Sequence, residues 1–310
     1  MEYTPPLLFF NAHVETIFPA IFRRVQLRPY IRERIQTPDG DFLDLDWLKG
    51  GFNQLAILSH GLEGNSSRAY IKGMARILHQ AGFDVLAWNY RGCSEEMNRQ
   101  LRFYHSGATD DLNLVIEHAS PRYPKIALIG FSLGGNLTLK YLGENRPIPP
   151  SICSAVTLSV PLDLHQSCMQ ISKPSNRLYA MRFLISLKNK IKIKARAFPE
   201  LGIGNLQHIK TLIDFDDAYT APLHGFRSAM DYYHRCSSIH FINQISIPTL
   251  IINARNDPFL GKACFPAVAD TQSVSTSYPA RGGHVGFTLF DQNGLYWSEL
   301  RALQFIQQHV

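Results

Sequence analysis

GFSLG, at residues 130–134, is the most informative run in this sequence of 310 residues. It has the pattern Gly-x-Ser-x-Gly, follows a strand-like run at 125–129 and precedes a helix-forming stretch at 136–143. On a sharp strand-to-helix turn, glycines on both sides of a serine remove Cβ clashes and leave the hydroxyl exposed. The run therefore predicts a nucleophile elbow with Ser132 as the nucleophile.

Strand-like and helix-like segments alternate on both sides of this elbow. Such alternation is typical of a mostly parallel central sheet with helices on both faces. We therefore expect an α/β fold, and an elbow in that context predicts the α/β-hydrolase fold. Apolar runs predict strands at 55–59, 83–88, 126–129, 155–160, 249–253 and 274–278, and helices are predicted at 68–81, from Thr109 to just before Pro121, and at 296–308.

Regular alternation stops after Pro161 and resumes at residue 249. The intervening sequence is rich in helix formers, aromatic residues and lysine, which favours a helical cap inserted at about 165–240. The chain length suits one α/β core that carries an insertion, so we expect a single domain over residues 1–310. Candidates to line an apolar acyl pocket in the cap, or else to pack there, are Tyr179, Met181, Phe183 and Leu184.

Charge is unevenly distributed along the chain. The formal net charge is +6, and residues 164–199 hold eight Lys or Arg and no Asp or Glu. A basic segment of this kind is often a solvated face, and it can also attract anionic substrates, an anionic membrane or nucleic acid. We expect no nucleic-acid partner, while peripheral contact with an anionic membrane and the oligomeric state stay open.

The five cysteines are odd in number, scattered, and never spaced as Cys-x-x-Cys. This usage argues against a disulfide framework and a zinc site and favours a reducing compartment. The start of the chain lacks the basic leader and small-residue cleavage site of a secretory signal. Polar residues break the apolar stretch at 7–22 before it reaches the length of a membrane span. We expect a cytoplasmic protein.

A serine hydroxyl needs a histidine to take its proton and a carboxylate to orient that histidine. In the α/β-hydrolase fold the acid and then the histidine follow the serine, each after a later strand. Asp257 and His284 each follow a late predicted strand, and glycines flank His284. We therefore assign Asp257 as the acid and His284 as the base. Asp163, which follows an earlier strand, is the alternative acid.

Attack on an ester carbonyl creates an oxyanion, which two backbone N–H groups are expected to bind. Leu133, directly after the nucleophile, supplies one donor, and the Gly-rich turn at 60–64 supplies the other, for which we choose Leu62. We expect His60 to shape this turn rather than to act as a base. Cys93 has neither a base nor an elbow of its own, so we expect it to be structural.

The sequence resembles the YheT-like, or embryogenesis-associated, family of α/β-hydrolase esterases nearly end to end. The resemblance implies a carboxylic-ester hydrolase and agrees with Asp257 and His284 as acid and base. Some eukaryotic relatives act on acylglycerols or phospholipids. The stretches that look like family blocks are NAHVETIFP at 11–19, the oxyanion loop at 60–65, and the runs at 90–94, 130–135, 253–258 and 282–286.

The sequence thus predicts a serine hydrolase that acts on a small-molecule acyl ester. Ser132 would attack the carbonyl, His284 would move the proton, and Asp257 would orient His284. We expect no metal and no organic cofactor. Two alternatives stay open: an acyltransferase that uses the same triad with an alcohol or thiol as acceptor, and a non-catalytic module whose basic cap binds nucleic acid or an anionic membrane.

Overall fold

The computed structural model describes residues 2–267 and 273–310. Met1 and residues 268–272, which the predicted single domain includes, lie outside the described residues. The strands are β1 (Ile31–Gln36), β2 (Phe42–Leu48), β3 (Gln54–Ser59), β4 (Phe83–Asn89), β5 (Lys125–Phe131), β6 (Ile152–Leu158), β7 (Thr249–Ile252) and β8 (Val274–Ser277). The α-helices are α1 (Ala12–Phe22), α2 (Ala69–Gln80), α3 (Thr109–Ala119), α4 (Leu133–Gly143), α5 (Leu164–Ile171), α6 (Arg177–Lys194), α7 (Leu212–Phe215), α8 (Ala221–Leu223), α9 (Ala229–Cys236) and α10 (Trp297–Gln307).

The strands form one sheet in the order β1-β2-β4-β3-β5-β6-β7-β8. β2 is antiparallel to both of its neighbours, and the pairs from β4 to β8 are parallel. Parallel neighbours need crossover connections, which α2, α3 and α4 supply between β3 and β6. The carboxyl ends of β5, β7 and β8 therefore lie along the same edge of the sheet.

Side chains on the two faces of the sheet pack into two separate cores. Leu55 and Ile57 of β3 belong to the core that α3 and α4 cover, whereas Ala56 and Leu58 belong to the core that α2 and α10 cover. This alternation is the two-residue period of a strand that is buried on both faces. The prediction of a mostly parallel sheet with helices on both faces is confirmed, and all six predicted strands are present.

β1 and β2 carry charged side chains and are not marked by apolar runs. Arg32 lies opposite Asp46 and Arg34 lies opposite Asp44, with nitrogen–oxygen distances of 2.8 and 2.7 Å. Both aspartates are buried. A buried carboxylate is tolerated when it is paired and hydrogen-bonded. One face of this antiparallel pair therefore carries cross-strand ion pairs, while Leu43, Leu45 and Trp47 on the other face of β2 pack into a core.

Between β6 and β7 the chain forms α5 to α9, over the span where the sequence predicts a cap. We call residues 164–240 the helical insertion. A third apolar cluster joins it to the loops above the sheet, with Ile191 from α6 packed among Phe103 and Phe259. The helical insertion therefore lies against the loops that follow β4 and β7.

Candidate active site

Ser132 stands at the turn between β5 and α4, with a backbone φ of 52° and ψ of −118°. A positive φ strains a residue that has a Cβ, so the surroundings must impose it. A Cβ on Gly130 would lie 2.4 Å from Gly134 O, and a Cβ on Gly134 would lie 2.4 Å from Ser59 O. Only glycine fits both positions, and the chain can therefore make the sharp turn that carries Ser132.

His284 and Asp257 approach Ser132 from the loops after β8 and β7. His284 Nε2 lies 3.0 Å from Ser132 Oγ, and His284 Nδ1 lies 2.8 Å from Asp257 Oδ2. Asp257 is buried, and its Oδ1 accepts a hydrogen bond of 2.9 Å from the Phe259 N–H. The Phe259 ring packs against the imidazole of His284, with 4.3 Å between the ring centroids. The structure thus brings the three predicted side chains into one hydrogen-bonded row.

The competing candidates have other contacts. Asp163 Oδ1 accepts from the Gln166 N–H at 2.9 Å and caps the start of α5. Cys93 Sγ lies 3.0 Å from Lys190 Nζ, and burial raises the pKa of the Cys93 thiol. A thiol with a raised pKa stays protonated and is a weak nucleophile.

Leu62 and Leu133 lie beside Ser132. A Cβ on Gly61 would be 3.2 Å from the Cβ of Ser132, which shows how closely this loop approaches the nucleophile. Leu62, Leu133, Ser132 and His284 line one cavity. Among the residues that the structure describes, neither the Leu62 N–H nor the Leu133 N–H has a hydrogen-bond acceptor. Both N–H groups are therefore unpaired within the described part of the chain.

His60 is fully buried under the same loop. Its Nδ1 donates to Gly61 O at 2.8 Å, and its Nε2 accepts from the Tyr90 N–H at 3.3 Å. Burial lowers the pKa of His60 to about 3, and the charges of Lys190 and Arg68 act in the same direction. The ring is neutral at ordinary pH, and both of its nitrogens are occupied by backbone groups of the loops.

Glu63 follows Leu62 in the same loop and has a backbone φ of 53°. Its N–H donates to Tyr104 Oη at 2.9 Å, and Tyr104 Oη donates to Glu63 Oε1 at 2.8 Å. Lys190 Nζ donates to Glu63 Oε1 at 2.7 Å, and Ser186 Oγ donates to Glu63 Oε2. Lys190 and Ser186 belong to α6, so the helical insertion is tied to the residue next to Leu62.

α1 supports the loop that carries His284. Glu15 Oε2 accepts from the Gly282 N–H at 3.0 Å, and Thr16 Oγ1 accepts from the His284 N–H at 2.9 Å. Arg281 Nη2 lies 2.7 Å from Glu15 Oε1. Glu15 and Thr16 are both buried. The inner face of α1 therefore provides acceptors for backbone N–H groups that would otherwise be unsatisfied.

Asn256 connects these contacts to the loop that carries Asp257. Its Nδ2 donates to Glu15 Oε2 at 2.7 Å, and its Oδ1 accepts from the Gly283 N–H at 3.1 Å. Sequence reasoning did not single out Glu15, Thr16 or Asn256. The available signal was the N-terminal motif at 11–19, in which Glu15 and Thr16 are adjacent polar residues within a largely apolar stretch.

An apolar cavity extends from Ser132 and His284 under the helical insertion. It contains about 1040 Å³ of empty space, counted with the part that is open to solvent. Asp216 also reaches the cavity wall, where Tyr233 Oη and Thr220 Oγ1 each donate to its carboxylate at 2.6 Å. The apolar lining includes Leu62, Phe103, Leu133, Leu164, Ile171, Phe183, Leu187, Ile191, Leu212, Phe215, Phe259 and Leu260.

The predicted acyl-pocket residues of α6 divide between its two faces. Phe183 lines the cavity, as predicted. The prediction for Met181 is wrong, because α6 turns this side chain outward and leaves it 48% exposed. Leu184 packs in the third apolar cluster, and Tyr179 packs against His13 of α1 and the Phe259 ring rather than lining the cavity.

Residues 2–267 and 273–310 are the described part of the chain. No helix in these ranges has both the length and the apolar character required to cross a membrane. In the same ranges no three His, Cys, Asp or Glu side chains come together in a way that could hold a metal ion.

Comparison with known proteins agrees with this architecture. The model of the family Hydrolase_4, described as serine aminopeptidase S33, matches residues 52–273. YheT of Escherichia coli strain K12 is 34% identical over 298 residues, which are 92% of this chain and 87% of YheT. Phospholipase ABHD3 of Bos taurus is 28% identical over 303 residues, with 92% of this chain and 73% of the relative covered. Among solved structures, the Pyrococcus furiosus esterase Pf2001 shares the fold with a TM-score of 0.61 at 17% identity, over 93% of this chain and 95% of the other.

The extent of these matches confirms the resemblance that the motifs suggested. The family model spans more than half of the chain, and the alignment with YheT covers nearly all of both proteins. The chain belongs to the Hydrolase_4 family, in the YheT-like branch of the α/β-hydrolases.

Proposed function

We propose that the protein is a serine hydrolase that cleaves carboxylic esters with an apolar acyl chain through an acyl-enzyme on Ser132. One observation carries the proposal: the row in which Ser132 Oγ lies 3.0 Å from His284 Nε2 and His284 Nδ1 lies 2.8 Å from Asp257 Oδ2. A nucleophile, a base and an orienting acid in this order are the arrangement that activates a serine. The phospholipase name of a relative supports lipid-like esters as the substrate class.

Acylation follows from the geometry of the row. Asp257 accepts the Nδ1–H of His284, which leaves the Nε2 lone pair free to take the Ser132 proton. Ser132 Oγ then bonds to the ester carbonyl carbon, and the carbonyl oxygen becomes an oxyanion. The N–H groups of Leu62 and Leu133 bind that oxyanion. When the intermediate collapses, the bond to the alcohol oxygen breaks, and His284 gives its proton to the departing alcohol.

Deacylation repeats these steps with water. His284 Nε2 takes a proton from a water molecule, whose oxygen bonds to the acyl carbon. The same two N–H groups bind the second oxyanion. Collapse of this intermediate breaks the bond to Ser132 Oγ, which recovers its proton from His284, and the carboxylic acid leaves.

The cavity favours an apolar acyl chain over a peptide with a free amino terminus. An aminopeptidase site needs an unpaired carboxylate for the substrate ammonium group. Asp216 at the cavity wall instead accepts from Tyr233 and Thr220, and burial raises its pKa to about 6. The surrounding wall is built largely from aliphatic and phenyl side chains, which stabilise a hydrocarbon chain by removing it from water.

We assign the helical insertion the role of a cap over this cavity. α6 contributes Phe183, Leu187 and Ile191 to the wall. It also contacts the oxyanion loop through Lys190 and Glu63, at 2.7 Å. A cap of this kind holds the oxyanion loop in place and encloses the acyl chain away from bulk solvent.

The decisive experiment is labelling with a fluorophosphonate probe, followed by intact-mass measurement. Wild type, Ser132→Ala and His284→Ala are compared, and Ser172→Ala serves as the control because Ser172 is exposed on the helical insertion. We expect one adduct on wild type and on Ser172→Ala, none on Ser132→Ala, and slow labelling of His284→Ala. Failure of folded wild type to label, or equal labelling of Ser132→Ala, would refute the proposal.

Substrate class is then tested with 4-nitrophenyl esters of increasing acyl length. We expect kcat/KM to rise from acetate toward longer chains, because each buried CH₂ contributes about 0.8 kcal/mol. A matched series of aminoacyl 4-nitroanilides tests the peptidase reaction. Faster cleavage of the anilides than of the esters would contradict the assignment of an apolar ester.

A further inference from the structure

The outward face of α6 combines large apolar and basic side chains and lacks acidic ones. Exposed residues recur along it at the three- and four-residue spacing of one helix face. The chain has no Asp or Glu between residues 164 and 199, so nothing acidic interrupts this face. Its exposed members are Leu178, Met181, Arg182, Ile185, Asn189, Lys192, Ile193 and Arg196.

Apart from Arg177 at its first position, the cations of α6 form two groups. Lys188, Lys190 and Lys194 turn inward, where they donate to Ile209 O, Glu63 Oε1 and Asn98 Oδ1. Arg182 and Lys192 turn outward, and neither forms an ion pair or a hydrogen bond with another described residue. Arg196 at the end of the face is equally unpaired within the described part of the chain. The outward cations therefore have no structural partner to explain them.

α1 and the segment before it add a second apolar area beside this face. Leu7 is 101% exposed, as exposed as in an extended chain. His13 of α1 contacts Tyr179 of α6, with 3.2 Å between Nδ1 and Oη and nearly parallel rings. The outer side of α1 is thus a neighbour of the first turns of α6. Large exposed apolar side chains here are Leu7, Leu8, Phe10, Ile17, Ile21 and Phe22.

We propose that this α1–α6 surface, formed by the exposed residues of 7–22 and of α6, docks onto an anionic lipid surface. Helices that lie on membranes combine apolar side chains, which enter the acyl boundary, with Lys and Arg, which approach anionic headgroups. The α1–α6 surface has both components in adjacent positions. The partner is thus a bilayer that contains anionic lipid.

Two other occupants fit the surface less well. A second copy in a symmetric pair would bring this patch against itself, and Arg182 and Lys192 would find no carboxylate of α6 to pair with. A nucleic acid would match the cations but would leave the aliphatic side chains of Leu7, Leu8 and Ile185 in contact with a polar backbone. A membrane satisfies the apolar and the basic side chains together.

The α1–α6 surface lies close to the candidate active site. The inner face of α1 holds the His284 loop through Glu15 and Thr16, and the inner face of α6 lines the cavity with Phe183 and Leu187. The α1–α6 surface therefore lies on the side of the molecule that carries the candidate site. A docked molecule would have its cavity close to the lipid.

The test is flotation with vesicles of phosphatidylcholine alone and of phosphatidylcholine and phosphatidylglycerol in equal parts. All variants carry Ser132→Ala, so that hydrolysis cannot alter the vesicles and binding is measured independently of the proposed function. One variant adds Leu7→Ser, Leu8→Ser and Phe10→Ser, and another adds Arg182→Glu and Lys192→Glu. The control for the apolar variant is Ile203→Ser with Met230→Ser, two exposed apolar positions elsewhere on the molecule. The control for the charge variant is Lys125→Glu, an exposed position at the amino end of β5. Thermal melts establish that each variant is folded.

We expect binding to the mixed vesicles, weak binding to the neutral ones, and a decrease when salt is raised, because salt screens exposed charges. Both surface variants are expected to bind at least about tenfold more weakly, and the controls to bind like the parent protein. The proposal is overturned if the parent protein does not float with the mixed vesicles or if surface and control variants bind alike. A dimer that the surface variants abolish, without vesicle binding, would assign the surface to a second copy.

Discussion

Asn256 and Glu15 are 241 residues apart in the sequence, yet Asn256 Nδ2 donates to Glu15 Oε2 at 2.7 Å. The contact joins the loop of Asp257 to α1. Because Glu15 also accepts from the Gly282 N–H, two residues before His284, one carboxylate spans the loops of the acid and the base. The relative orientation of Asp257 and His284 therefore depends on a side chain from the first helix.

Replacement of Glu15 tests this dependence. Glu15→Ala removes Oε2, the acceptor of both hydrogen bonds. We expect kcat to fall by about 10²-fold with little change in KM, because a small misplacement of a catalytic group costs that much. Glu15→Gln keeps one amide oxygen and is expected to lose less. Steady-state kinetics on an ester substrate and a thermal melt check both variants. A lower melting temperature with unchanged kcat would mean that Glu15 serves stability alone.

The choice of acid is tested with a matched pair of aspartates. Asp257→Asn is expected to lower kcat by about 10⁴-fold, because the amide no longer favours the His284 tautomer whose Nε2 can accept a proton. Asp163→Asn is expected to keep activity, since asparagine caps a helix as well as aspartate does. The reverse result in steady-state kinetics would transfer the acid role to Asp163.

Lys190 links α6 to the oxyanion loop, so we expect its replacement to lower both stability and kcat. Lys190→Met leaves the Glu63 carboxylate buried without its cation, which is expected to cost about 3–5 kcal/mol of unfolding free energy. Displacement of the adjacent Leu62 N–H is expected to lower kcat by about 10- to 100-fold. Denaturant unfolding and ester kinetics measure the two effects.

Two further variants separate charge from packing at this link. The double variant Lys190→Met with Glu63→Gln removes the orphaned charge and is expected to recover part of the stability. Lys188→Met serves as the control, because Lys188 donates to Ile209 O and not to the oxyanion loop. Equal losses of kcat in Lys188→Met and Lys190→Met would argue that any perturbation of α6 lowers activity.

We expect His60 to make the unfolding free energy depend on pH. Its pKa is about 3 in the folded protein, against an ordinary value of 6.5. Between these values the unfolded chain binds the additional proton, so the unfolding free energy decreases as pH falls, by up to about 1.4 kcal/mol per pH unit. The stabilisation is complete above pH 6.5 and is lost toward pH 3. His60→Gln is expected to lack this component in unfolding titrations, and parallel profiles of variant and wild type would contradict it.

The central strands and the elbow could be predicted because their physical causes are local. A run of apolar residues such as 126–129 marks a strand buried on both faces, and glycine is required at 130 by a contact with Gly134, only four residues along the chain. Charged β1 and β2 escaped this reasoning, since Asp44 and Asp46 are buried with arginines of the neighbouring strand as their ion-pair partners. Such pairs are visible only when the strand partner is known.

Contacts between the site and distant parts of the sequence could not be predicted from local patterns either. Glu15 and Thr16 acquire their role from the His284 loop, which lies far away in the sequence. The orientation of α6 was predicted in part: Phe183 faces the cavity, whereas Met181, two positions earlier, faces outward. Residues two apart on a helix do not share a face, so which one lines a pocket depends on where the helix packs.

The contact between α1 and the loop at 281–286 also bears on how the protein is made. A ribosome synthesises residues 12–22 well before residues 281–286. Until residues 281–286 have been synthesised, Glu15 and Thr16 have no N–H groups of this loop from which to accept hydrogen bonds. The loop that carries His284 cannot form before then. The proposed hydrolytic activity would therefore be acquired only once residues 281–286 have been synthesised, even if the elbow at 130–134 has already folded.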